Sequence, residues 1–389
     1  MSALTFLRHV LPRLAVIVIV LALLELMFRH GLWEPVTRPE SNAGQSVRLK
    51  NAINALGAEK LDFITLGDSR AVYGIEHQRV ADAAKTAGFT HANLSLAGTH
   101  WLTIDAVVDW IAAHDKNLKG ALIATNVNSF TFDGNGAYEL GMATPFLATW
   151  DSERMKRSVP FDLGEFGTYG VYSALFLARE DIQDLLRQPR ARLREKRAYA
   201  GQGAAPLTFS VKVAGNACAV PHSSIAACAA AVTSGNNDTE RAMINQCKAE
   251  LGTTKQRLDW RNWAVPGAIP HLEALAKTRQ AELRAMPVAK PLLVVMMPVP
   301  SLRRDELTPQ GLEEYSLSVL KPLVDDGTIV LYDFTHFFDK TEGGECSAFW
   351  DLYHQNTLGQ ARLTDVLLPI IQRELYARAG NKNAANAAR

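Results

Sequence analysis

Net charge is almost absent from this chain: 41 basic residues stand against 40 acidic ones, leaving +1 over 389 residues. A nucleic-acid binder normally carries a basic surplus or a concentrated basic face, so no nucleic-acid partner is expected. The one dense basic run, Arg187, Arg190, Arg192, Arg194, Lys196 and Arg197, is broken by Glu195. It reads as a solvated face, with contact to an anionic lipid or polymer as the alternative. Cysteine is also scarce. Cys218, Cys228, Cys247 and Cys346 include no C-x-x-C pair, and no histidine cluster joins them at zinc-site intervals, so a metal centre is not expected. Periodic internal repeats are missing as well. What remains is 48% hydrophobic and 21% charged, enough for a sizeable core and without the bias of a disordered chain.

One long apolar run is present, LAVIVIVLALLELMF from Leu14 to Phe28, preceded by Arg8 and Arg13. With the apolar residues upstream it approaches the roughly 20 residues that cross a bilayer, and the basic residues before it favour an amino terminus inside. Glu25 weakens its outer end. No small-x-small cleavage site follows, so residues 1–30 read as an uncleaved signal anchor; a cleaved signal peptide or an interfacial helix are the alternatives. Four cysteines beyond the anchor suit an oxidising compartment and can form two disulfides in three ways. The short Cys218 to Cys228 loop is the simplest to close, leaving Cys247 with Cys346.

Residues 31–46 are rich in proline, glycine and polar side chains and read as a stalk, with the globular pattern beginning near Val47 and running to about residue 380. Short apolar strands are expected at Leu61–Gly67, from His91, at Ala121–Val127, Pro291–Val299 and Gly327–Phe334, with helices between them. That alternation implies βαβ units and a site at the carboxyl ends of the strands. Residues 198–262 read as an irregular cysteine-bearing insertion, and 381–389 as a flexible tail.

Two short motifs carry chemistry. GDSR places Ser69 directly after the first predicted strand, where a glycine-assisted turn holds a hydroxyl at the strand end. Alone, such a turn is most often structural. WDLYHQNTLG places Asp351 and His354 three residues apart after the last predicted strand, a spacing that puts both on one side of a turn. His354 then takes the Ser69 proton on one nitrogen while Asp351 fixes the other. Asp68 reads as a turn organiser. His77, His91, His100 and His336 read as packing or surface residues, with His100 a candidate for the pocket wall. Trp101, Phe349 and Trp350 either shape the pocket or cover the sheet edge.

With an early G-D-S serine and a late D-x-x-H, the chain resembles the SGNH, or GDSL-like, hydrolase superfamily. The combination of anchor, GDSR, NLSLAG and DLYH followed by N-x-x-G is most similar to DltD-type membrane-anchored acyl-transfer proteins of bacterial envelopes. The resemblance spans about Leu61 to Gln360 but rests on three short motifs. It implies a three-layer α/β/α domain with a central parallel sheet, preceded by one transmembrane helix in the bacterial cytoplasmic membrane, with the domain in the periplasm or outside the cell. It implies Ser69 as nucleophile, His354 as acid and base, Asp351 as orienter, and Gly98 as a backbone donor to an oxyanion. The G-x-N-D block of that superfamily is missing, so the asparagine donor falls to Asn126 or Asn128, with Asn126 nearer the strand end. The implied activity is O-acyl transfer, without metal or redox cofactor, to an envelope polysaccharide or teichoic-acid-like polymer, with a multipass membrane acyltransferase supplying the acyl group. A carbohydrate acyl esterase, a thioesterase and a noncatalytic assembly protein are the competing expectations.

Overall fold

In a computed structural model of the chain, residues 3–99, 101–114, 118–126, 136–147, 150, 152–153, 155, 169–200, 206–220, 223–232, 238–251 and 268–380 are described. The apolar run lies in helix α1 (Ala3–Arg29), whose stretch Val10–Arg29 is long and apolar enough to cross a membrane. Twenty residues of helix rise about 30 Å, the thickness of a hydrocarbon core. Its side chains from Leu11 to Met27 are largely exposed, as a lipid-facing helix requires.

Residues 34–45 are not an extended stalk. Glu34–Val36 form a 3-10 turn, Trp33 and Thr37 are buried, and helix α2 (Asn42–Leu56) begins within the expected stalk, capped by Ser41. The proline and glycine that suggested a linker act here as punctuation: Gly44 packs so closely that a Cβ would meet the Arg38 carbonyl at 1.9 Å.

The chain then builds β1 (Phe63–Gly67), α3 (Ser69–Gly74), α4 (His77–Thr86), β2 (His91–Asn93), α5 (Trp101–His114) and β3 (Gly120–Thr125). Short helices α6 (Ala174–Leu177) and α7 (Arg179–Arg187) lead to α8 (Pro189–Ala200). The cysteine-bearing region contains α9 (Ile225–Ala230) and α10 (Asp238–Glu250), followed by α11 (Ala268–Ala285). The closing elements are β4 (Leu292–Met296), α12 (Leu312–Asp325), β5 (Ile329–Asp333) and α13 (Thr357–Ile371). All strand pairs are parallel, in the order β2-β1-β3-β4-β5.

Alternation along the strands divides the core into two layers. Ile64, Leu66, Ala121, Ile123, Leu292 and Val294 face a cluster that takes in Ile53 of α2, Leu102 of α5, Leu283 of α11 and Leu320 of α12. Phe63, Leu122, Leu293 and Val295 face the opposite cluster, with Ala71 of α3, Val80 of α4 and Leu363 of α13. Both faces of a parallel sheet need such cover, and the strands are apolar over most of their length, with Thr65, His91, Asn93 and Thr125 as buried polar exceptions. The cysteine-bearing helices join the second cluster through Ile225, Cys228, Met243 and Cys247, so these two helices are part of the core.

The disulfides differ from the expected pairing: Cys218 bonds Cys346 and Cys228 bonds Cys247, with Cα separations of 4.9 and 5.9 Å. Proximity in sequence misled because α9 and α10 pack against each other, which brings Cys228 to Cys247 and leaves Cys218 beside the loop after β5. In the basic run, Arg192 is buried and paired with Asp181, Asp184 and Glu195, while Arg187, Arg190, Arg194, Lys196 and Arg197 are exposed.

Among the described residues, His77 and His91 are buried. His77 bonds the Ala71 carbonyl at 3.1 Å, and His91 lies between Thr65 Oγ1 (2.8 Å) and Tyr376 Oη (2.6 Å). Burial lowers His77 to about 4 and, with the neighbouring His77, lowers His91 to about 3, from an ordinary 6.5. The unfolded chain therefore binds more protons than the folded one below pH 6.5, and stability falls as pH drops from there towards 4. Between pH 7 and 5 the loss is on the order of 2 kcal/mol per imidazole. Thermal unfolding at the two pH values should show it, and His91→Gln should flatten the dependence. A pH-independent melting temperature over that window in the parent chain would refute it.

Candidate active site

β1 is flanked by β2 and β3, and its carboxyl end opens into the GDSR turn. Gly67 is required there by close approach: a Cβ would lie 2.7 Å from the Ala124 carbonyl and 2.9 Å from Ala71 Cβ. Asp68 caps α3, its Oδ1 accepting the Arg70 amide at 2.8 Å. Its Oδ2 takes the Arg70 guanidinium at 3.1 Å and the Asn126 side-chain amide at 3.2 Å. Asp68 thus organises the turn, and Ser69 is left as the first residue of α3, half-buried at the sheet edge.

The second motif comes from the loop between β5 and α13. A bridge between Phe349 and Gln355, with the Trp350 amide bonded to the His354 carbonyl at 3.1 Å, folds 350–354 into a tight turn. Asp351 is 1% exposed and accepts four hydrogen bonds. Its Oδ1 takes the amides of Tyr353 and His354, both at 2.7 Å; its Oδ2 takes His354 Nδ1 at 2.8 Å and Gln246 Nε2 at 2.9 Å. His354 Nε2 is 2.8 Å from Ser69 Oγ. An ionised carboxylate only accepts, so Nδ1 carries the imidazole proton and Nε2 presents its lone pair to the serine hydroxyl. Burial raises the Asp351 carboxyl, but the hydrogen bond and charge of His354, with Gln246 and the Tyr353 amide, outweigh it and hold the group below its ordinary value. The chain Ser69, His354, Asp351 is therefore arranged to move a proton off the hydroxyl and to hold the resulting imidazolium.

The N-x-x-G that follows fastens this turn. Asn356 donates to the carbonyls of Gly215 (2.8 Å) and Ser347 (2.7 Å) and caps α13 by accepting the Gly359 amide at 2.9 Å. Gly359 passes so near Ala348 that a Cβ would stand 2.1 Å from its carbonyl oxygen. Half-buried Tyr73 and Trp350 flank the imidazole, with ring centroids 4.6 and 5.9 Å away. Burial, then the Asp351 charge, raises the Tyr73 hydroxyl. Trp101 and Phe349 are buried in the cores of opposite layers. His336 is at the surface, bonded to Asp339 and Glu313.

NLSLAG runs on from β2 beside β1: the Leu94 amide bonds the Thr65 carbonyl and the Leu96 amide that of Gly67, which carries the segment to the Ser69 end of the sheet. There Gly98 turns with φ 75°, a conformation open to glycine. Asn126 directly follows β3, 6% exposed, with its amide directed at Asp68. His100 and Asn128 lie outside the described residues. Among the described residues no group of three or more histidine, cysteine or acidic side chains is placed to hold a metal ion.

Gln246 is the site residue that sequence reasoning missed. Besides donating to Asp351, its Oε1 accepts the Leu352 amide at 3.0 Å, so one side chain holds both the carboxylate and the turn. It sits on α10 beside the Cys228–Cys247 bond, and nothing in the local sequence distinguishes it from any other helical glutamine. Tyr353 adds a second tie to α10 through Glu250, with Arg303 4.0 Å from its ring centroid. No family model matches the chain, and no curated protein matches it in sequence.

Proposed function

We propose that the chain is a membrane-anchored serine acyl-transfer enzyme of SGNH type that works through an acyl-Ser69 intermediate. The observation that carries this reading is the unbroken hydrogen-bonded chain from Ser69 Oγ through both nitrogens of His354 to a buried, ionised Asp351. Ser69 Oγ attacks an ester or thioester carbonyl while His354 Nε2 takes its proton, and Asp351 stabilises the imidazolium that forms. The carbonyl electron pair moves onto oxygen, where the backbone N–H groups of Ser69 and Gly98 are the proposed donors. The Asn126 side-chain NH2, which carries two N–H groups and is held near the turn by its bond to Asp68, is the proposed third donor. Collapse expels the leaving alcohol or thiol, which takes the proton from His354. An acceptor hydroxyl then attacks the acyl-serine with His354 again as base, and Ser69 is released.

The anchor favours transfer within the bacterial envelope over hydrolysis of a diffusing ester, because α1 keeps Ser69 close to the membrane at all times. The acceptor is then a hydroxyl of an envelope polysaccharide or teichoic-acid-like polymer, with the domain outside the cytoplasm and a multipass membrane acyltransferase as the acyl donor. Two disulfides agree with an oxidising compartment.

The reading is tested on the full-length protein with an activated acetyl ester, followed by peptide mass analysis. An acetyl group on Ser69 is expected, absent from Ser69→Ala, together with an acetylated polymer hydroxyl when acceptor is supplied. A parent protein that never carries the adduct refutes the covalent route, and an adduct lost to water alone favours an esterase.

Gln246→Leu separates geometry from packing. Deleting one charge-assisted hydrogen bond to Asp351 should slow acylation by roughly tenfold or more. Gln246→Met, which keeps the volume without the donor, should be slowed as much as the Leu variant. A Met variant as fast as the parent would reduce Gln246 to a packing residue.

A further inference from the structure

The outer turn of α1 does not stand clear of the domain. Glu25 accepts hydrogen bonds from Ser173 Oγ (2.8 Å) and from the amides of Ala174 (2.9 Å) and Leu175 (3.1 Å). Arg29 pairs with Glu25 at 2.7 Å and donates to the Tyr172 carbonyl at 2.6 Å. Phe28 is buried in the same cluster as Ala174 and Ala178. A carboxylate within an apolar span is costly unless it is paired, and here the segment 172–175 and Arg29 supply every partner.

These bonds also set a depth. Glu25 lies one helical turn, about 6 Å, inward of Arg29. Backbone held by both residues must sit level with the last turn of the span. Around this clip Tyr169 and Tyr172 are 51% and 50% exposed, and Leu32, just past the span, is 49% exposed. Tyrosine, with an apolar ring and a polar tip, is the residue type that settles at a bilayer's headgroup level.

We propose that Tyr169–Leu177 is a second membrane contact, held in the headgroup region of the outer leaflet by Glu25 and Arg29, so that the domain rests on the bilayer in one orientation. The occupant of this surface is lipid, because the surface is continuous with the exposed apolar side of α1. The proposal rests on α1 being a span and is independent of the chemistry at Ser69.

The test uses the full-length protein in nanodiscs of phosphatidylethanolamine and phosphatidylglycerol carrying brominated acyl chains. All four native cysteines are in disulfides, so one introduced thiol takes a fluorophore specifically. Probes are placed by Tyr172→Cys, by Val20→Cys in the span, and by Val366→Cys on α13, which covers the opposite face of the sheet. Bromolipid is expected to quench the probe at 172 nearly as strongly as that at 20 and to leave that at 366 bright; Glu25→Leu should remove most of the quenching at 172 alone. Quenching at 172 no greater than at 366, with position 20 quenched, overturns the proposal and leaves a protein as the occupant. An unquenched probe at 20 instead overturns the span itself.

Discussion

Replacing Asp351 by asparagine is expected to slow acylation of Ser69 by about 10⁴-fold, although the substitution is nearly isosteric. The reason lies in which oxygen is pinned. Oδ1 receives two backbone amides, from Tyr353 and His354, so it must remain an acceptor. The new NH₂ is therefore forced into the Oδ2 position, facing His354 Nδ1 and Gln246 Nε2. Gln246 can meet it only by turning its amide, which gives up the Leu352 N–H that its Oε1 accepts. His354 can meet it only by moving its proton to Nε2, and that tautomer cannot accept from Ser69. Ser69→Ala should lose roughly 10⁴- to 10⁶-fold, and adding His354→Ala to it should cost almost nothing more, since the two act as one unit. The check is the initial rate on an activated ester, with melting curves to show that each variant is folded. A folded Asp351→Asn protein within tenfold of the parent would mean that His354 is oriented by something other than this carboxylate.

The second large effect concerns stability. The Cys218–Cys346 bond closes a sequence separation of 128 residues, whereas Cys228–Cys247 closes only 19. On the chain-entropy model, replacing the first pair by serine costs about 5 kcal/mol and the second about 3 kcal/mol. Function should respond in the opposite order of directness. The short bond sits beside Gln246, and the long one tethers the start of the turn that carries Asp351, where the Ala217 amide also bonds the Phe349 carbonyl at 2.7 Å. Denaturant midpoints of the two double-serine proteins measure the first statement. Finding the short-loop variant the less stable of the two would show that native packing, not chain entropy, sets the cost. The acylation rate of each variant, taken well below its unfolding midpoint, measures the second.

Much of the architecture could be read locally. Short apolar runs ending in glycine or polar turns marked β1, β3 and β4, because a strand buried on both faces draws mostly apolar residues. The placement of Ser69 at a strand end, and the three-residue interval between Asp351 and His354, were equally legible, since a turn of that length leaves few geometries. The apolar helix at the amino terminus required only composition and length.

Other features depended on pairs of residues far apart in the chain. The disulfide pattern was misread because loop length is a poor guide when two helices pack side by side, and only the pairing of α9 with α10 decides which sulfurs meet. Residues 34–45 looked like a linker by composition, yet Trp33 and Thr37 found a place in the interior. Gln246 has no local signature: its role exists only because α10 lies against the turn after β5. Glu25 read as a flaw in an apolar span until the Ser173 hydroxyl, the amides of Ala174 and Leu175 and the Arg29 guanidinium supplied its partners. The residues of the candidate site were thus written in short motifs, whereas what holds the motifs in register was decided by tertiary contacts, which a local pattern of residues does not encode.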